Sequence, residues 1–172
     1  MNIKRIELTQ GRFAIVDADD FDMLSRFRWR LLRSGPNRYA INCDDGRIVR
    51  MHRLILRPPK NLWCDHINGD GLDNRKCNLR VCTPTQNSRN ARPRENCTSK
   101  YKGVHFSRIK KKWIAKINKS DGRTIHIGSY DFEQDAAIAY DDKAIELFGE
   151  FAWLNCTHRP EINQWQQDMY LF

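Results

Sequence analysis

The sequence predicts an α+β protein: a strand–loop–strand–helix unit, followed by a three-stranded antiparallel sheet packed on one helix. Three observations predict it. Short runs of alternating apolar residues recur through both halves of the chain. Helix-start patterns stand after two of these runs, at Thr83-Pro84-Thr85-Gln86 and Asp131-Phe132-Glu133-Gln134. The charge also reverses sharply. Residues 98–130 hold nine Lys or Arg against one Asp or Glu, and residues 131–158 hold one against seven. A basic surface backed by an acidic element follows from that split.

In chain order, Phe13-Ala14-Ile15-Val16 reads as a strand. Asp17 to Phe27 reads as a short helix with Phe21, Leu24 and Phe27 on one face. Asp17, Asp19, Asp20 and Asp22 suit its positive end. Tyr39-Ala40-Ile41-Asn42 and Arg47-Ile48-Val49-Arg50 flank Cys43-Asp44-Asp45-Gly46, and Asp-Gly between strand-like runs signals a hairpin. Met51 to Leu56 turns into a helix, and Pro58-Pro59 stops it.

Residues 64–90 change character. Asp65-His66 leads into a polar loop, Asn68-Gly69-Asp70-Gly71 and then Asp73-Asn74, in which Asp70 and Asp73 are turn-formers. Leu79 and Val81 alternate with Arg80 and Cys82, as in a short strand. Thr83 is an N-cap, Pro84 the first helical residue and Gln86 the N3 partner, so Asn87 falls in the first turn of a helix. The polar, basic stretch that follows closes this helix and becomes a linker over 91–98.

The second unit spans 99–158. Val104 and Phe106 flank His105. Trp113, Ala115 and Ile117 alternate with Ile114, Lys116 and Asn118. Ser120-Asp121-Gly122 supplies a turn, and Thr124 and His126 alternate with Ile125 and Ile127. Ala136, Ala137, Tyr140, Ala144 and Leu147 or Phe148 then recur at helical spacing until Gly149, a C′ residue. The alanines allow that helix to lie close to the sheet. Trp113 shares the alternation of Ala115 and Ile117 and reads as core. Residues 159–172, with Trp165, Met169, Tyr170 and Phe172, read as a docked tail.

Length, charge and cysteines narrow the function. The 172 residues allow one or two small domains, and 30 Lys or Arg against 21 Asp or Glu give a charge of +9. Apolar runs stay far below the roughly 20 residues of a membrane span. Met1-Asn2-Ile3-Lys4-Arg5-Ile6-Glu7 has no apolar leader, so the expectation is a cytoplasmic protein with reduced thiols. Nucleic acid is the leading partner for the basic stretch. Cys64, Cys77, Cys82 and Cys97 lie 13, 5 and 15 residues apart, which fits zinc poorly, and they read as buried free thiols.

The residues with chemistry to offer are Asp65, His66, Asn78 and Asn87. Hydrolysing a phosphodiester needs positive charge against the phosphate, a base for water and fixed geometry. The Asp65 carboxylate and an asparagine amide oxygen suit a hard divalent ion, with phosphate oxygens and water completing its shell. Neutral His66 is a base near pH 7. Neighbours on a strand point to opposite faces, so Asp65 and His66 share a site only at a strand end or bend. By spacing alone, Asp65 and Asn87 also read as turn and cap residues and His66 as a surface histidine.

The stretch from Asp65 to Arg80, followed by Gln86-Asn87 and preceded by Met51-His52-Arg53-Leu54-Ile55, closely resembles the HNH endonucleases of the phage homing type. The resemblance is strong over about residues 50–90 and looser over the first 50. It implies a ββα-metal core over about 64–90 within a nuclease domain at 1–90. It also implies Asp65 and Asn87 as ligands of one divalent ion, His66 as general base and Asn78 as the residue pinning the loop. Asn87 stands where the family's three-letter name has His, an exchange that many homing-type members share. It favours Mg²⁺ or Mn²⁺ over zinc. His52 is expected to be structural or to touch phosphate.

Residues 99–157 resemble the Apetala/ethylene-response-factor DNA-binding domain. The resemblance is carried by Tyr101-Lys102-Gly103-Val104, Trp113 to Ile117, Gly128-Ser129-Tyr130, Glu133, Ala136-Ala137, Ala139-Tyr140-Asp141, Ala144 and Asn155. It implies a sheet docked in the DNA major groove with the helix behind. Alternation then puts Ala115, Ile117, Ile125 and Ile127 toward the helix. Lys102, His105, Ser107, Arg108, Lys112, Ile114, Lys116, Asn118, Thr124 and His126 are the candidates for the DNA side. Arg80 joins them as a DNA-binding candidate, as do Arg89, Arg92 and Arg94 in the basic stretch 88–99, which also reads as an arm along DNA phosphates. The expected partner is double-stranded DNA, with no membrane and no small-molecule substrate, in a phage or bacterial host cell; monomer and homodimer both stay open. The competing expectation is a DNA-binding regulator with an inactive nuclease domain.

Overall fold

A computed structural model describes residues 2–44, 46–93 and 97–156. The candidate Arg94 and the tail at 159–172 lie outside the described residues. The chain divides into two compact units, the first Met1–Asn90 and the second beginning at Ala91. The described residues form small antiparallel sheets with few helices, an α+β architecture. No described helix is long and apolar enough to cross a membrane.

In the first unit, β1 (Ile3–Leu8) and β2 (Arg12–Asp17) form a hairpin. Alternation did not reveal β1, because only Ile6 and Leu8, on either side of Glu7, are buried, and Ile3 is exposed and followed by two basic residues. Helix α1 (Ala18–Leu24) stops before Phe27. The Ser25 hydroxyl donates to the Asp22 carbonyl, and the Ser25 N–H to Phe21. Phe27 therefore leaves the helical face and lies edge-on to Trp29 at 5.9 Å. Next come β3 (Trp29–Ser34), β4 (Asn37–Asp44) and β5 (Arg47–Arg50), one sheet in that order, and then α2 (Met51–Leu56).

Ile6, Leu8, Ala14, Val16, Leu24, Trp29, Ala40 and Met51 make one contiguous core. A fully buried Leu24 or Met51 contributes about 1.5–3 kcal/mol. The indole N–H of Trp29 donates to the Leu24 carbonyl at 2.8 Å, so the core holds no unsatisfied polar atom there.

This core carries a smaller layer. Strands β6 (Trp63–His66) and β7 (Leu79–Cys82) pair with Asp65 opposite Arg80 and His66 opposite Leu79, and α3 (Pro84–Arg89) follows. The loop between the strands is tied to β2. The Ile15 N–H donates to the Leu72 carbonyl, and the Asn74 N–H to the Ile15 carbonyl at 2.7 Å. Asp17 makes no cap bond to α1; its carboxylate accepts the Lys76 N–H at 2.8 Å, while Asp20 pairs with the Lys76 ammonium. The acidic cluster thus anchors the loop as well as opening the helix.

In the second unit, β8 (Val104–Ser107), β9 (Lys112–Asn118) and β10 (Thr124–Tyr130) form a sheet with β9 central. Helix α4 (Glu133–Phe148) covers one face. Ala115, Ala136, Ala137 and Ala144 are fully buried, as close approach of helix and sheet requires. Ile117, Ile125 and Ile127 pack on the same side. The capping pattern at Asp131–Gln134 is not realised. The N-cap is Phe132, and Asp131, one residue too early, pairs with Lys112 instead. Among the cysteines Cys82 alone is buried; Cys64 and Cys77 are half-buried and Cys97 is exposed, which corrects the expectation of four buried thiols.

Asp141, fully buried on α4, clasps the chain after the helix. Its two oxygens accept the N–H groups of Asn155 and Cys156, both at 2.8 Å. Asn155 in turn bonds both backbone groups of Lys102. Removing the carboxylate leaves two backbone donors unpaired, each at about 1–3 kcal/mol. Asp141→Ala is expected to destabilise this unit by about 3 kcal/mol, read from its urea midpoint. An unchanged midpoint would show that the clasp carries no stability.

Candidate functional site

The candidate site lies in the first unit, at the end of β6. Asp65 and His66 are 6% and 5% exposed. The expectation of a surface histidine therefore fails. Alternation sends the two side chains opposite ways. Toward β7, Asp65 Oδ2 accepts from Arg80 Nη2 at 2.7 Å and Nε at 3.0 Å. Arg80 was expected to contact DNA, but its side chain is 10% exposed and its guanidinium is committed to this carboxylate. Asn90, just past α3, donates through Nδ2 to Asp65 Oδ1 at 3.2 Å, to the His66 carbonyl at 2.9 Å and to the Ile67 carbonyl at 3.2 Å. One amide group thereby holds the helix end against both candidate residues.

His66 sits among rings from other elements. Its imidazole meets that of His52, on α2, at 4.9 Å between centroids and 89° between planes. Tyr39, on β4, lies 6.0 Å away on the same measure. Gly71 permits this packing, since an added Cβ would collide with the Arg38 carbonyl and the Tyr39 ring. Burial pushes the pKa of His66 down against the opposing pull of Asn74, Asp65, Asp70 and Asp73, so the imidazole is neutral at pH 7. Burial, with His66 and two arginines nearby, drives His52 down to about 3.

The loop is stiffened by its own polar groups. Asn78 Oδ1 accepts the Asn68 N–H at 3.0 Å, and its Nδ2 donates to the Asp73 carbonyl at 2.8 Å. Asp70 accepts the Leu72 N–H. Asp73 receives two 2.7 Å bonds from Arg75. Asn87 is half-buried in the first turn of α3, whose capping box is complete: Thr83 Oγ1 accepts the Gln86 N–H and Gln86 Oε1 the Thr83 N–H.

The donors fit a hard divalent cation. Among the described residues no three His, Cys, Asp or Glu side chains converge as ligands. A cation here would rest on one carboxylate, amide oxygens, water and phosphate. Asp65 Oδ1 accepts one long bond and keeps a lone pair. The Asn87 amide takes part in no hydrogen bond among the described residues, so its oxygen is available. Sequence reasoning missed Asn90, Asn74 and Tyr39. Asn90 stands three residues after Asn87, on the same helical face, a spacing that could have found it.

The second unit supplies a basic face. Register places His105, Ser107, Lys112, Ile114, Lys116, Asn118, Thr124 and His126 on the side of the sheet away from α4. Lys116 and His126 are exposed and directly paired. His105 is held below the ordinary histidine range by burial and by the Lys116 and His126 charges. Thr124 donates to Asn118 Oδ1 at 2.8 Å, and Lys112 reaches Asp131. The Lys102 ammonium donates to the Ala91 carbonyl at 2.8 Å. Arg108 is exposed in the β8–β9 turn, Arg92 lies over the Trp153 ring at 5.9 Å, and Arg89 is half-buried at the end of α3.

Two corrections arise on this face. Ile114 is only 6% exposed, lying on the central strand between His105 and Ser129, so it presents nothing to a base edge. Ser129 is exposed on the outer face and was not anticipated. A bulge at Ile127 shifts the register between His126 and Gly128 and resets the alternation beyond it. Gly128 marks the place, since an added Cβ would meet the Tyr130 ring.

No family model matches the chain. It is 35% identical over 149 residues to a protein named uncharacterized HNH endonuclease L560 of Acanthamoeba polyphaga mimivirus, covering 83% of this chain and 74% of that one. It is 32% identical over 94 residues to Protein 3.8 of Escherichia phage T7, covering 55% and 76%. A shorter match, 38% over 65 residues, is to dehydration-responsive element-binding protein 2E of Oryza sativa subsp. japonica, covering 37% of this chain and 20% of that protein. In chain order a nuclease-like unit with a buried Asp-His pair thus precedes a unit of the Apetala type, and the chain belongs to the HNH endonuclease family.

Proposed function

We propose that this protein is a metal-dependent endonuclease that hydrolyses phosphodiester bonds of double-stranded DNA, and that it acts site-specifically for a mobile element inside a host cell. The observation that carries the reading is a buried imidazole at the end of β6, next in the chain to one buried carboxylate. Asp65 and Asn87 would hold a Mg²⁺ or Mn²⁺ ion, which supplies positive charge against the phosphate. His66 takes a proton from water as the water oxygen bonds to phosphorus. The bond from phosphorus to the leaving deoxyribose oxygen breaks, and that oxygen regains a proton from solvent. Asn78 and Asn90 keep the loop and helix in place. The basic face of the second unit holds the duplex, mostly through phosphates.

One such site cuts one strand per binding event, so a monomer nicks. Incubating supercoiled plasmid bearing the target with Mg²⁺, Mn²⁺ or EDTA tests this. Nicked circles should appear with metal and not with EDTA. Linear product without nicked intermediates would overturn the monomeric version. One observation favours a second reading, a DNA-binding regulator: Arg80 already neutralises Asp65. Tight, salt-sensitive binding with no cleavage under any metal would select it.

Lys116→Ala is expected to weaken DNA binding across all sequences and to reduce the salt slope by about one phosphate contact. Titrating labelled duplexes at several salt concentrations measures both. Loss confined to one sequence would mean that Lys116 reads a base instead.

A further inference from the structure

Asn74 is a polar side chain with no solvent exposure, in the loop between β6 and β7. It is not part of the Asp-His-Asn set of the proposed site. Its Oδ1 lies 3.4 Å from His66 Nε2. Its Nδ2 is buried without a hydrogen-bond partner. An unpaired buried amide donor is destabilising, and an apolar residue of similar volume would avoid that cost. Its place is also fixed from outside, because the Asn74 N–H donates to the Ile15 carbonyl at 2.7 Å and so moors it to the core hairpin. The carboxamide is therefore held rigidly against one nitrogen of His66.

We propose that Asn74 is a positioning residue: by accepting from His66 Nε2–H it fixes the imidazole tautomer, leaving Nδ1 as the nitrogen that takes the proton from water. The inference rests on the nuclease reading and on His66 as its base. A neutral imidazole has one donor and one acceptor nitrogen, and the bond made by one decides the role of the other. The ring of His52 packs perpendicular to that of His66 at 4.9 Å and limits its rotation. Asn74 selects the nitrogen, and His52 restrains the plane.

The test uses the full chain as wild type, Asn74→Leu, Asn74→Asp and His66→Ala. Leu fills the volume without an acceptor; Asp keeps the acceptor oxygen. The first readout is the ¹⁵N spectrum of the His66 imidazole without metal or DNA, which separates the two neutral tautomers. Wild type and Asn74→Asp should show Nε2–H, and Asn74→Leu a mixture. The second readout is single-turnover cleavage alongside DNA affinity. Asn74→Leu should cleave about 10–100-fold more slowly at unchanged affinity, as for other residues that orient a functional histidine, while Asn74→Asp stays within a few-fold of wild type. A wild-type Nδ1–H tautomer overturns the proposal, and should Asn74→Leu fail to fold, that spectrum and Asn74→Asp still decide it. Asn74→Asp as slow as Asn74→Leu overturns it as well, leaving a packing role. Full activity of Asn74→Leu with His66→Ala inactive sinks this inference alone. Full activity of His66→Ala sinks the nuclease reading with it.

Discussion

His66→Ala is expected to reduce strand cleavage by about 10²–10⁴-fold, the usual contribution of a positioned general base. DNA affinity should hardly change. Binding would draw on exposed cations such as Lys116 and Arg108, whereas His66 is buried in the first unit. The comparison is a plasmid-nicking rate against a binding titration under identical salt. Undiminished nicking would remove His66 from the reaction. Collapse of binding together with nicking would make it a structural residue. The substitution also deletes the ring that His52 and Tyr39 pack against, so the urea midpoint of the variant belongs in the same experiment.

The second large effect is on stability. His52 is 5% exposed, its Nδ1 has no hydrogen-bond partner, and its pKa lies near 3 in the folded chain against 6.5 when free. A histidine depressed by folding binds protons more readily when unfolded. Its contribution is therefore fully present above pH 6.5 and is lost as pH falls from 6.5 toward 3. The loss is about 1.4 kcal/mol per pH unit, or roughly 3 kcal/mol by pH 4.5, before most carboxylates titrate. Burial shifts His66 in the same direction. Against a typical total of about 5–15 kcal/mol this is a large fraction. The first unit should show a urea midpoint that falls steeply between pH 7 and 4.5, and His52→Phe, which keeps a flat ring without an ionisable nitrogen, should flatten that dependence. Equal slopes in the two proteins would mean that His52 does not carry the acid sensitivity.

Much of this was legible from local pattern. The capping box at Thr83 and Gln86 depends on residues three apart, and it forms as written. The helix-facing set Ala115, Ile117, Ile125 and Ile127 depends on strand period, which needs no tertiary knowledge. Where a short pattern met a longer constraint, it failed. Asp131 lost its capping role to Phe132, and the bulge at Ile127 turned Ser129 outward.

The sequence by itself determined the order β6, β7, α3 and the order β8, β9, β10, α4, and the separation of basic sheet from acidic helix, because spacing and alternation operate within a few residues. The strands β1 and β3 escaped it, and the roles given to Asp65, His66, Asn78 and Asn87 rest on the family resemblance. Only the tertiary structure decided what surrounds His66. Tyr39, His52 and Asn74 come from β4, α2 and a loop far apart in the chain, brought together because one hydrophobic core and the backbone bonds to Ile15 hold those elements in register. It also committed Arg80 to Asp65, since a buried carboxylate opposite an arginine on a neighbouring strand is stabilised by pairing with it.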